Sequence, residues 1–100
     1  MTVFRANTKS IASDNTFTDA IDPLSGFLAI SVSGFSDSPA FSGTITLQRS
    51  FDDGLTWKDI ENYTADEETM IDAPVAGIFY RLGIKTGNYT SGTANVGLYK

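Results

Sequence analysis

Residues 78–85 read Ile78-Phe79-Tyr80-Arg81-Leu82-Gly83-Ile84-Lys85. Ile78, Tyr80, Leu82 and Ile84 share one parity, and Phe79, Arg81, Gly83 and Lys85 share the other. Successive side chains of a β-strand point to opposite faces, so this spacing lines one side of a pleated strand with apolar groups. The same alternation recurs. Leu28, Ile30 and Val32 alternate with Ala29, Ser31 and Ser33, and Ile45 and Leu47 alternate with Thr44, Thr46 and Gln48. Ala94, Val96 and Leu98 alternate with Asn95, Gly97 and Tyr99. No segment carries an apolar stripe of helical period.

Turn chemistry separates these runs. Asp22-Pro23-Leu24-Ser25-Gly26, Gly34 to Pro39, Asp52-Asp53-Gly54, Ala73-Pro74-Val75-Ala76-Gly77 and Gly87 to Gly92 all read as breaks. The spacing predicts strands over about 26–34, 42–51, 55–63, 68–72, 77–86 and 92–99, with two shorter ones near 2–6 and 16–21. Turns every 8–12 residues or so indicate an all-β, two-sheet β-sandwich of about seven to eight strands, immunoglobulin-like or jelly-roll, with essentially no helix. The expected layout is a single domain, with an N-terminal arm and short strands in 1–25 and the sandwich core in 26–100. Asn7 to Asn15 is polar and small and reads as a loop or mobile arm. Trp57 and Ile60 differ in parity, so a regular strand cannot bury both on one face. The expected solution is a β-bulge near Lys58–Asp59; the alternatives put Trp57 on the opposite face or under a loop.

Composition narrows the function classes. The 100 residues include no cysteine and no histidine, so there is no thiol nucleophile, no thiolate metal site and no imidazole base. Twelve acidic residues against seven basic ones give a net charge of −5, and the cations are scattered. Phosphate neutralisation by Lys and Arg drives nucleic-acid binding, so neither nucleic acid nor an anionic membrane is an expected partner. Met1 to Ser10 lacks the apolar centre of a signal peptide, which leads to the expectation of synthesis in the cytoplasm.

The sharpest motif is Ser50-Phe51-Asp52-Asp53-Gly54-Leu55-Thr56-Trp57, which fits S-x-D-x-G-x-T-W, the Asp-box. Asp52 is placed to accept hydrogen bonds from turn amides, and Gly54 supplies an unusual backbone angle. Ser50 and Thr56 can bond across the hairpin, and Trp57 can cover its apolar side. Sialidases carry several such boxes away from their active sites, so Ser50, Asp52, Gly54, Thr56 and Trp57 are read as a structural hairpin. Neighbouring acids such as Asp52/Asp53 and Asp66/Glu67/Glu68 diverge on a strand and do not converge on one substrate. No catalytic, cofactor-binding or metal-ligating residue is assigned, and the chain is expected not to be an enzyme. The acidic run Asp59, Glu61, Asp66, Glu67, Glu68 and Asp72 lacks the spacing of a calcium loop and reads as a solvated face. Phe27, Phe79 and Tyr99 sit on exposed parity. They mark either a partner site or a face covered by a second layer or the arm.

The segment from Thr46 to Trp57, and that from Ala76 to Thr93, resemble stretches of small β-sandwich structural proteins of tailed bacteriophages. The order is also similar: the strand Ala29 to Gly34, the box, an acidic strand, the Tyr80-to-Gly87 strand and a short closing strand. Tyr80 to Gly92 is similar to late strands of fibronectin type III and immunoglobulin-like domains as well. The phage resemblance implies a virion component, a capsid decoration or cement protein binding the major capsid protein or other virion proteins, with homo-oligomers allowed. It implies no cofactor and a location on the capsid surface. Val3, Phe4 and Arg5 pair apolar groups with a guanidinium and are the expected partner contacts of the arm. The alternative is a tail or tail-fibre accessory domain contacting host-surface glycans through Trp57, Tyr63 and Tyr89.

Overall fold

The structure, a computed structural model, describes residues 6–24 and 26–100. Ten strands follow in order: β1 (Ala6–Ile11), β2 (Thr16–Phe17), β3 (Phe27–Ser33), β4 (Ser42–Gly43), β5 (Ile45–Ser50), β6 (Lys58–Tyr63), β7 (Glu67–Asp72), β8 (Phe79–Ile84), β9 (Tyr89–Ser91) and β10 (Ala94–Tyr99). They form three antiparallel sheets, β1-β10-β3-β7, β2-β8-β5-β6 and the small pair β4-β9. There is no helix among the described residues. The all-β sandwich expected from alternation is the observed architecture.

The alternating residues build the core. Leu28 and Ile30 of β3 and Leu98 of β10 face Leu47 of β5 and Leu82 and Ile84 of β8, all at most 2% exposed. Full burial of an aliphatic side chain of this size contributes about 1.5–3 kcal/mol, so these two rows hold the sheets together. The first four-stranded sheet spans β7 to β1, and β7 joins β8 of the second through residues 73–78. Asp22 ties that crossover down: it accepts the Gly77 N–H at 2.8 Å and the Leu24 N–H at 2.9 Å.

Three expectations need correction. Ala6–Ile11 is a strand and not a loop or mobile arm; it runs antiparallel to β10 from Ala6↔Tyr99 to Ile11↔Ala94. It lies at a sheet edge, where one neighbour satisfies half the backbone and polar side chains meet water, so no alternation is required. Only Ile11 enters the core, fully buried. The strand count is ten because 42–51 divides at Thr44, whose N–H bonds to Asn88 O at 3.0 Å, and because residues 89–91 pair with β4. The expected strand at 16–21 is only Thr16–Phe17, followed by a lone bridge between Ile21 and Tyr80.

The parity conflict in β6 is resolved in two ways at once. Leu47 pairs with Glu61 and Gln48 with Asp59, so Ile60 is the extra residue of a bulge. The bulge lies one to two residues beyond the expected place. Trp57 precedes the strand and packs on the outer face of the second sheet, so it is not a core residue.

Candidate functional site

The hairpin between β5 and β6 is organised by one carboxylate and one hydroxyl. Asp52 accepts the Thr56 N–H at 2.8 Å and the Thr56 hydroxyl at 2.5 Å, and Ser50 Oγ donates to Asp52 at 2.8 Å. Ser50 Oγ in turn accepts the Gly54 N–H at 2.8 Å. Asp53 and Gly54 both have positive φ, 65° and 87°, a conformation that glycine adopts without strain and aspartate tolerates better than most residues. The Thr56 hydrogen bonds, with that from Ser50, hold the Asp52 carboxyl down at about 2. Ser50 and Thr56 meet through Asp52 and not directly. The hairpin residues are thus consumed by one another, and the carboxylate is not free for chemistry.

Beside the hairpin, a polar network crosses the outer face of the second sheet. Arg81 of β8 donates through Nε to Gln48 Oε1 at 2.8 Å, and Gln48 Nε2 donates to Asp59 Oδ1 at 2.9 Å. Lys85 Nζ reaches Asp59 Oδ2 at 2.6 Å. Lys85 and then Gln48 hold the Asp59 carboxyl below its usual range. The Arg81 guanidinium lies 4.1 Å from the centre of the Phe17 ring and 4.3 Å from that of Trp57. Phe17 arrives from β2 on one side of β8, and Trp57 arrives from the β6 side. Burial pulls the Arg81 pKa down. Neither Phe17 nor Arg81 was singled out as a site by sequence. The available signal was Arg81 on the exposed parity of the most apolar strand, but its ring partners are 24 and 64 residues away in the chain.

The exposed apolar side chains are unevenly placed. Among the described residues the large ones are Leu24, Phe27, Phe51, Leu55, Val75 and Met70. Phe27 begins β3 and pairs with Asp72, the last residue of β7. Ser50, just before Phe51 and Leu55, pairs with Phe79, the first residue of β8. Leu24 and Val75 lie on the two turns that Asp22 joins. By register, all but Met70 therefore lie at the end of the sandwich where β7 crosses over to β8, with Met70 two residues further in. Ala6 pairs with Tyr99 on the row of Ala29 and Met70, two residues in from that end.

The other sequence candidates are dispersed. Val3, Phe4 and Arg5 lie outside the described residues. Tyr63 is buried at 4% exposure, where burial and then Glu61 and Glu67 push its phenol up to about 12. Tyr89 packs on Phe41 and donates its hydroxyl to Gly92 O at 3.0 Å, close to Tyr63 only in sharing the opposite end of the sandwich from Trp57. The three residues of the glycan alternative therefore make no common surface. Phe27 is 63% exposed, while Phe79 is half-buried and Tyr99 folds back over Gly97. Among the acidic residues, Asp66 accepts the Phe35 N–H at 2.8 Å and so braces the loop after β3. No group of three or more acids that could hold a metal ion occurs among the described residues.

No family model matches the chain, and no curated protein matches it. Among solved structures it is similar to the crystal structure of the Yersinia pseudotuberculosis-derived mitogen, with a TM-score of 0.59 and 14% identity. The match covers 98% of this chain and 86% of the other. At that identity the likeness is one of fold.

Proposed function

We propose that the chain is a non-enzymatic structural protein of a phage virion that decorates or cements the capsid by binding the major capsid protein lattice. The observation that carries this reading is the apolar end formed by Leu24, Phe27, Phe51, Leu55 and Val75, from 55% to 83% exposed. Large apolar groups that gather on one exposed surface mark interaction sites more often than scattered ones do. The sequence resemblance to small phage virion proteins supplies the kind of partner.

The mechanism is binding linkage. A module that binds the assembled shell and not the free subunits stabilises the shell by mass action. Each apolar side chain buried at the contact adds about 1.5–3 kcal/mol before the cost of association, and a symmetric lattice repeats the same contact at every site. The hairpin's closed hydrogen-bond set keeps Phe51 and Leu55 on a rigid support, which limits the ordering cost of docking. Chain residues Val3, Phe4 and Arg5 precede Ala6, which lies two residues in from this end, and they extend the contact in this reading.

The test is co-sedimentation of the purified chain with capsids of the phage that encodes it, prepared without it. Saturable binding at a fixed ratio to the major capsid protein is the expected result. No binding to shells, with binding to isolated tails, would replace this reading by the tail or tail-fibre alternative.

A further inference from the structure

Arg81 has more hydrogen-bonding capacity than the fold uses. Its Nε–H goes to Gln48, and its two terminal nitrogens donate to no described residue. The one ion pair among the described residues is Lys85–Asp59, so no described carboxylate lies within pairing distance of Arg81. Asp59, the acid in the same network, is already held by Lys85 and Gln48. Arg81 is therefore a positive charge on the outer face of the second sheet with no ion-pair partner among the described residues.

That charge is also oriented. Rings on either side of β8 confine the guanidinium plane, and Gln48 fixes its rotation about that plane by engaging Nε. The end-on edge made by Nη1 and Nη2 has no hydrogen-bond partner among the described residues. Two parallel N–H donors in a plane match the two oxygens of a carboxylate, and a stacked guanidinium loses little further freedom when such a group docks. A sheet face that needed only a stem to cover its glycine would be served by a lysine or a methionine. An immobilised, unpaired fork is a ligand-ready group.

We propose that Arg81, clamped by Phe17 and Trp57, is a binding site for a carboxylate, presented by an aspartate or glutamate side chain of a partner protein. The site lies on the outer face of the second sheet, beside the hairpin that carries Phe51 and Leu55, and it stands whether or not the apolar end docks on a capsid. Trp57 is the single tryptophan of the chain, so its emission reports on the stacked guanidinium.

The experiment titrates the full chain with N-acetylglutamate amide at constant ionic strength, following Trp57 fluorescence and the side-chain N–H resonances of the arginines. The expected result is a saturable change at Trp57 and at Arg81, with Arg49 unmoved and with N-acetylglutamine amide inert. Arg81→Lys keeps the charge but removes the fork, and should weaken binding by about tenfold. If that variant fails to fold, the comparison of Arg81 with Arg49 in the unaltered chain still decides. Equal shifts at both arginines, no saturable response, unchanged affinity in Arg81→Lys, or tighter binding of inorganic phosphate than of the carboxylate would each overturn the proposal.

Discussion

Asp52 accepts both the backbone N–H and the side-chain hydroxyl of Thr56, at 2.8 and 2.5 Å, and so closes the hairpin that carries Phe51 and Leu55. This relationship has a pH signature. The Asp52 pKa is lowered from 3.8 to about 2 in the fold, first by the Thr56 hydroxyl, then by the Thr56 amide and Ser50. A depressed carboxyl stabilises the fold above its unfolded pKa, and that stabilisation is lost as pH falls through the folded value. Asp52→Ala should therefore melt at lower temperature than the parent at pH 7, and the gap should close between about pH 4 and pH 2. Melting curves across that range check it; a constant gap would mean that the carboxylate is not what closes the turn.

Gly83 is required by β2. A Cβ there would stand 2.1 Å from the Thr16 carbonyl oxygen and 2.6 Å from the Phe17 Cα, both backbone atoms that cannot swing away. Gly83→Ala should cost about 1–3 kcal/mol or more in urea denaturation, as overpacking does. It should also perturb Trp57 emission, because Phe17 and Trp57 share Arg81.

Tyr63 should ionise above the ordinary tyrosine range. Burial, then the Glu61 and Glu67 charges, raise its pKa from 10.0 to about 12. A raised pKa in the fold gives stability that is full below the unfolded value and is lost as pH rises through the folded one, here from about 10 to about 12. Absorbance titration at alkaline pH, compared with Tyr63→Phe, should show one phenolate component missing at the top of the curve.

Charging the apolar end should separate binding from folding. Leu55 is 83% exposed, so Leu55→Glu is expected to shift stability by no more than about 0.5 kcal/mol. Capsid binding in the co-sedimentation assay should fall by about tenfold or more, since an unpaired charge would be desolvated at the contact. An equal substitution at Thr64, exposed in the turn between β6 and β7 at the opposite end, should leave binding unchanged.

Much of the sandwich was readable because β3, β5, β8 and β10 each turn their apolar residues to the face that meets the other sheet, so those residues alternate. What the pattern hid follows from the same rule. β1 is an edge strand whose Asn7, Thr8, Lys9 and Ser10 are polar on both faces, and nothing in local sequence separates such a strand from a polar loop. β9 is three residues long and exists because β4 leaves β5 to meet it. The hairpin's Asp52-centred hydrogen bonds were legible because those partners lie within seven residues of one another, while the packing of Trp57 on Arg81 was not. The Phe17–Arg81–Trp57 stack was not, because long-range register sets it and period-two spacing cannot encode which strands become neighbours. The apolar end was hidden for the same reason: its five residues come from three separate stretches of the chain.

The central claim is that this sandwich docks on a capsid through the end that carries Leu24, Phe27, Phe51, Leu55 and Val75. The most direct measurement is an electron cryo-microscopy map of particles of the encoding phage, with the chain fitted into it. The account predicts density for this domain at repeated lattice positions on the shell, with those five residues against the major capsid protein. Density confined to one vertex or to the tail, or a shell contact made by the opposite end of the sandwich, would contradict it.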